Sequence, residues 1–148
     1  MNSIQICDMT TNHFEQIKDI LISDFDDFWN PKLLKNEIVG ENKKYIVALS
    51  NNIIVGFAGI LILYPEIEIM NIVVKKNERN KGIGNLLLDK IIEIAQNNNY
   101  EKIFLEVNEK NNIAINMYKK HDFSNIGIRK KYYNYSDDAI LMMKKIIH

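Results

Sequence analysis

The hexapeptide Arg79-Asn80-Lys81-Gly82-Ile83-Gly84 constrains this chain more than any other segment. A β-like run, residues 67–74, precedes it, and an amphipathic helical stretch, residues 85–97, follows it. Two glycines carrying a strand into a helix N-terminus let the backbone come close to a ligand. The first N–H groups of the helix have no intrahelical acceptor and its dipole is positive there, so the loop suits an anion, phosphate above all. Two commoner phosphate loops do not fit. A P-loop needs glycine–lysine followed by serine or threonine, and Gly84 is followed by Asn85. A dinucleotide fingerprint needs glycine or alanine three positions further on, where Leu87 stands. By the glycines alone a plain strand–turn–helix connection serves equally well, so the flanking sequence has to decide.

The bulk of the chain excludes several classes. With 148 residues it is expected to form one domain, residues 1–148, burying roughly two-thirds of its unfolded surface. Its 19 Lys and Arg balance 19 Asp and Glu, which gives no overall field to hold nucleic acid and leaves only local basic patches to weigh. Cys7 is the single cysteine, so neither an intrachain disulfide nor a cysteine-based zinc site is expected. No repeated His, Cys or acidic spacing supports a metal site. There is no basic-then-apolar leader pattern, and no apolar run approaches the ~18 residues of a membrane span. The expected home is the reducing cytoplasm, with no membrane partner. Oligomeric state is not readable.

Periodicity gives the order β-α-α-β-β-β-α-β-α-β-β. Ile4 and Ile6 alternate as in a strand, and Thr10 and Thr11 offer caps for a helix through Phe14, Ile17, Ile20 and Leu21. Asn30-Pro31 starts a second helix, with Leu33, Leu34 and Ile38 as its buried side. Strands follow at 45–49, 53–63 and 67–74, then the glycine loop and a helix carrying Leu86, Leu87, Ile91, Ile94 and Ala95. A strand at 102–107, a short helix at 113–120 and a closing pair of strands, 124–129 and 139–146, complete the chain. Elements in this order form a mixed α/β layer of sheet with helices on its faces.

Three segments carry a resemblance: EIMNIVVKKNERNKGIGNLLL from Glu68, IFLEVNEKNNIAINMYKKHDF from Ile103, and IRKKYYNYSDDAILM from Ile128. Together, in this order and spacing, they are similar to the GCN5-related N-acetyltransferase (GNAT) superfamily and within it to the ribosomal-protein-alanine N-acetyltransferases, the RimI type. FWNPKLLKNEI, from Phe28, adds a weaker likeness to that family's Pro-Trp-Ser segment, with Trp29 in the tryptophan position. The resemblance implies a mostly antiparallel sheet of about seven strands flanked by about four helices, with acetyl-coenzyme A as cosubstrate and no metal. It implies pantetheine pairing with the backbone of Ile72, Val73 and Val74, pyrophosphate on Arg79, Asn80, Lys81, Gly82, Ile83 and Gly84, and help from Asn111. It implies Glu106 as general base and Tyr118 as general acid, and an acceptor side that includes Trp29, Arg129 and Tyr132. In that fold the acids Asp24, Asp26 and Asp27 lie opposite Arg129-Lys130-Lys131-Tyr132-Tyr133, where they would attract a basic peptide tail.

The chemistry of these residue types agrees with the implied roles. A phenol of pKa ~10 suits protonation of a departing thiolate, and a carboxylate can take the amine proton directly or through water. An α-amine of pKa ~8 is about a tenth neutral at pH 7, whereas a lysine of pKa ~10.4 costs about 3 kcal/mol more to deprotonate. One carboxylate therefore suits an N-terminal acceptor better than a lysine, and the resemblance points to the N-terminal alanine of a small-subunit ribosomal protein. Other readings stay open at this level. Glu106 also reads as an edge carboxylate, Tyr118 as a core tyrosine and Asn111 as a helix cap. Glu68, a second carboxylate on the cofactor strand, is able to share or replace the base role. His13 and His121 read as surface or capping residues. The acceptor could be another protein N-terminus, a lysine, a polyamine or an antibiotic amine, and a non-catalytic coenzyme A-binding module would need no Glu106–Tyr118 pair. Asp122 for the family's glycine, Asn108 for its arginine, and Phe28 and Asn30 beside the tryptophan are departures that bear on the acceptor rather than the cofactor.

Overall fold

The structure, a computed structural model, describes residues 3–26, 30–133 and 136–148. Seven strands and four α-helices follow one another as β1 (Ile4–Asp8), α1 (Thr11–Ile17), α2 (Pro31–Ile38), β2 (Lys43–Ser50), β3 (Ile53–Leu63), β4 (Glu66–Val74), α3 (Ile83–Asn97), β5 (Lys102–Asn108), α4 (Asn112–Lys120), β6 (Ser124–Tyr133) and β7 (Asp137–Lys145). A π-helical turn, Leu21–Phe25, lies between α1 and α2, and a 3-10 turn, Lys76–Glu78, precedes α3. The sheet order is β1-β2-β3-β4-β5-β7-β6, a mixed sheet whose β4–β5 pair is parallel and whose β1–β2, β2–β3, β5–β7 and β6–β7 pairs are antiparallel. No helix among the described residues is long and apolar enough to cross a membrane. The chain divides into two compact units, Met1–Ile62 with Asn71–Ile91, and Leu63–Met70 with Ile92–His148.

In the first unit, α1 starts on a reciprocal cap. The Thr10 hydroxyl accepts from the His13 N–H at 3.3 Å, and His13 Nδ1 accepts from the Thr10 N–H at 2.9 Å. Asn30 caps α2 by accepting from the Leu33 N–H at 2.8 Å, with Pro31 at the first helical position. Phe14, Leu21, Phe25, Leu34, Val47, Phe57 and Val73 form a continuous buried cluster. Leu33, expected inside, is instead exposed: a two-turn helix resting on the sheet through Leu34 turns the neighbouring position about 100° away, toward solvent. Two glycines on β3 leave room for neighbours. A Cβ on Gly56 would come within 3.0 Å of the Val73 carbonyl and 3.3 Å of Ile83 and Leu87. A Cβ on Gly59 would meet the Tyr45 ring at 2.3 Å. That ring is buried, and its hydroxyl accepts from Asn71 Nδ2 at 3.1 Å and donates to Glu37, which pairs with Lys43.

Helix α3 begins at Ile83, two residues before the expected start. Gly82, with φ +83°, makes the turn, and its carbonyl accepts the Leu86 N–H at 3.2 Å. Ile83 is buried against the open side of Gly56, which fixes the first turn there. The buried face of α3 accordingly runs through Ile83, Leu87, Leu88, Ile91 and Ala95, and Leu86 is exposed.

In the second unit, Glu66–Ile69 of β4 pair in parallel with Lys102–Leu105 of β5. β5 continues beyond that pairing through Glu106, Val107 and Asn108, whose partners on β7 are Leu141, Ile140 and Ala139. β6 lies on the far side of β7, with Gly127 opposite Leu141 and Arg129 opposite Ala139. Strand β6 runs longer than the sequence suggests, and its register shifts twice.

Candidate active site

Within the first unit, the glycine loop is held by its own arginine. Arg79 Nε donates to the Val74 carbonyl at 3.1 Å, and Arg79 Nη2 donates to the Phe25 carbonyl at 2.9 Å. The guanidinium thus ties the end of β4 and the π-helical turn to the start of the loop, a function that its planar fork of donors suits. Asn80 has φ +66° and Gly82 φ +83°, and a Cβ built on Gly82 meets nothing within 4 Å. Glycine is therefore required at 82 by backbone conformation rather than by crowding. The N–H groups of Ile83, Gly84 and Asn85 precede the first α-helical hydrogen bond, made by Leu86. Lys81 pairs with Glu78 at 3.1 Å, and both are on the loop side of the turn. On β4 the side chain of Val73 is buried, while Ile72 and Val74 are half-buried.

Within the second unit, Glu68 and Glu106 meet in one cavity. Glu68 pairs with Phe104, and Glu106 lies two residues beyond Phe104, so both carboxylates project from the same face. The cavity, about 190 Å³, is walled by Phe104, Ile126, Leu141 and Met142 around the two carboxyl groups. Arg129 Nη2 donates to Glu106 Oε1 at 2.8 Å, with the Glu106 side chain about one-fifth exposed. The guanidinium also lies over the Tyr132 ring, 4.8 Å from its centroid. Ala139 stands opposite both Arg129 and Asn108 and adds only a methyl group there, which clears the way across β7. No hydrogen bond or ion pair among the described residues engages Glu68. Its burial raises the carboxyl above the ordinary glutamate value, the Glu106 charge adds to this, and Arg129 opposes it.

The remaining expected residues fall as follows. Tyr118 is buried on α4, its ring in edge contact with Phe123 at 5.6 Å. Asn111 is the N-cap of α4, its side-chain oxygen accepting from the Ala114 N–H at 3.1 Å. His13 caps α1, and His121 closes α4 with Nδ1 2.8 Å from the Met117 carbonyl. Asn108, at the position of the family's arginine, donates to Asp137 at 3.1 Å and accepts from the Lys110 N–H at 2.9 Å. Trp29 and Asp27 lie outside the described residues. Among the described residues no three His, Cys, Asp or Glu side chains gather as a metal-binding group. Sequence reading missed the Glu106–Arg129 pair and the Phe25–Arg79 tie. The first is masked by β7 standing between β5 and β6, the second by an acceptor that is a main-chain carbonyl.

The glycine-turned N-terminus of α3 suits an anion, and comparison with known proteins identifies the family. The sequence profile of the Acetyltransferase (GNAT) family matches residues 14–123, and the chain belongs to that family of N-acetyltransferases. Its relatives narrow the picture. It is 30% identical over 124 residues to the N-alpha-acetyltransferase RimI of Mycobacterium tuberculosis, covering 81% of this chain and 77% of the relative. It is 33% identical over 105 residues to the [ribosomal protein bS18]-alanine N-acetyltransferase of Haemophilus influenzae, covering 71% and 70%. The crystal structure of the ribosomal-protein-S18-alanine N-acetyltransferase from Escherichia coli superposes with a TM-score of 0.88 at 25% identity, covering 99% of this chain and 96% of that one.

Proposed function

We propose that this N-acetyltransferase transfers the acetyl group of acetyl-coenzyme A to the N-terminal α-amine of a small-subunit ribosomal protein whose first residue is alanine. The observation that carries this reading is Glu106, a carboxylate held by Arg129 in a small, mostly apolar cavity. A cavity of that size suits a short first side chain, and the relatives' acceptor, as their names give it, is such a terminus. The open, left-handed Gly82 and the unbonded first turn of α3 fit a pyrophosphate, so the loop amides would hold it while Arg79 fixes the loop. The backbone of Ile72, Val73 and Val74 would take the pantetheine arm, and Asn111 would add to the cofactor contacts. When bound, acetyl-coenzyme A supplies the thioester carbonyl carbon and a thiolate leaving group. Glu106 accepts a proton from the acceptor nitrogen, and Tyr118 gives its phenolic proton to the departing sulfur. Trp29, Arg129 and Tyr132 would border the acceptor peptide.

The test is regiochemical. A peptide with a free N-terminal alanine and one internal lysine should be acetylated on the α-amine, as located by fragmentation mass spectrometry. Acetylation on the lysine alone would sink the reading. The cofactor assignment has its own test. Gly82→Ala forces an L-residue into the left-handed region at about 1–2 kcal/mol, so the coenzyme A dissociation constant should rise roughly tenfold by calorimetry. An unchanged constant would remove the loop from the cofactor site.

A further inference from the structure

The acceptor nitrogen has a proton problem that one carboxylate does not solve. An α-amine of pKa ~8 enters mostly as an ammonium at pH 7 and leaves as an amide with a single N–H. It must therefore lose two protons. The first goes before attack, because an ammonium has no lone pair. The nitrogen then forms its bond to the acetyl carbonyl carbon and becomes positively charged again. The second proton leaves at this stage, as the carbon–sulfur bond breaks and coenzyme A departs as the thiol.

The second unit offers two carboxylates in different circumstances on the same cavity. Glu106 is engaged by Arg129 at 2.8 Å, and Arg129 is itself seated on Tyr132. Glu68 faces the same space from β4, two positions back along the pair of strands, and no cation is bonded to it among the described residues. Building on the acetyl-transfer reading above, we propose that Glu68 takes the first proton from the incoming ammonium, and that Glu106, fixed by Arg129, takes the second after the carbon–nitrogen bond has formed. The partition follows from what each step demands. Deprotonating an ammonium before attack needs a strong acceptor, and a desolvated carboxylate beside a second negative charge is one. A nitrogen already bonded to the carbonyl carbon is far more acidic, so a fixed, charge-compensated carboxylate suffices. Arg129 occupies Glu106 Oε1, which leaves the unpaired carboxylate as the entry point. Tyr118 supplies the proton on sulfur; once the products leave, both carboxyl protons pass to solvent and Tyr118 takes one back, so each turnover releases one proton.

The experiment compares kcat/KM of wild type, Glu68→Gln and Glu106→Gln at neutral and alkaline pH with an N-terminal alanine peptide. Glu68→Gln should be about tenfold slow at pH 7, because it acts only on the roughly one-tenth of an amine of pKa ~8 that arrives neutral there. At pH 9.5, where an amine of pKa ~8 is about 97% neutral on arrival, it should come within about threefold of wild type. Glu106→Gln should keep its deficit at both values, because the second proton must be lost at any pH. A Glu68→Gln deficit equal at both pH values, or none at pH 7, would overturn the proposal and leave acetyl transfer itself standing. Wild type inactive on every peptide would remove the acetyl-transfer reading and this division with it. Coenzyme A affinity checks the fold of each variant. Should Glu68→Gln lose that affinity, Glu68→Asp, which withdraws the carboxylate by one methylene, must show the same pH-dependent deficit, and a pH-independent one there is equally decisive against it.

Discussion

Glu106→Gln should lower turnover on an N-terminal alanine peptide by at least about a hundredfold at pH 7, and Tyr118→Phe by a comparable factor. Each replacement keeps the shape of the side chain it removes. Glutamine fills the volume of Glu106 in the cavity and can still accept from Arg129, but it cannot take a proton. Phenylalanine keeps the buried ring of Tyr118 against Phe123, so the fold loses little while the proton donor disappears. If the two act on one reacting centre, their effects will not add: the double variant should be little slower than the slower single one. Michaelis constants for acetyl-coenzyme A should stay within about twofold, because interactions made only in the transition state are being removed. Full activity in Tyr118→Phe would place that tyrosine in the core and nowhere else.

Phe57→Ala should cost about 3–5 kcal/mol of stability and lower the melting temperature by roughly 10 °C. Phe57 is fully buried on β3, its ring centroid 5.8 Å from that of Phe25. The void left behind lies among close-packed apolar neighbours that relax only partly into it. The loss reaches the glycine loop as well. Phe25 supplies the carbonyl that Arg79 holds, and a loosened Phe25 frees that end of the tie. Coenzyme A affinity should therefore fall together with stability, read by calorimetry on the folded protein. The exposed Leu33 gives the contrast, since Leu33→Ala should stay within about 0.5 kcal/mol of wild type.

Much of this was legible in the chain itself, and the failures have physical causes. The order of strands and helices followed from periodicity, and the anion loop from Gly82 and Gly84 between a strand and a helix. Where α3 begins was not legible, because Gly82's left-handed backbone and the space above Gly56 decide it, and neither shows in local pattern. Leu33 and Leu86 misled because a run of neighbouring leucines leaves the buried face of a helix undefined by a residue or so. Glu106 and Tyr118 were named through a resemblance to a family rather than from spacing. What Glu106 touches was out of reach, since Arg129 meets it across an intervening strand that comes later in the chain. The contacts of Arg79 were equally out of reach, since both of its acceptors are main-chain carbonyls. A single-sequence reading sees residue type and order, and these contacts depend on register and on main-chain atoms.

The central claim is acetyl transfer to an N-terminal α-amine. Its most direct test is coenzyme A release from acetyl-coenzyme A with a peptide copying the N-terminus of the host's ribosomal substrate, beside the same peptide with its α-amine blocked. Release with the free peptide that disappears with the blocked one is the result predicted here. Equal release from both, or none from either while coenzyme A binds tightly, would contradict it.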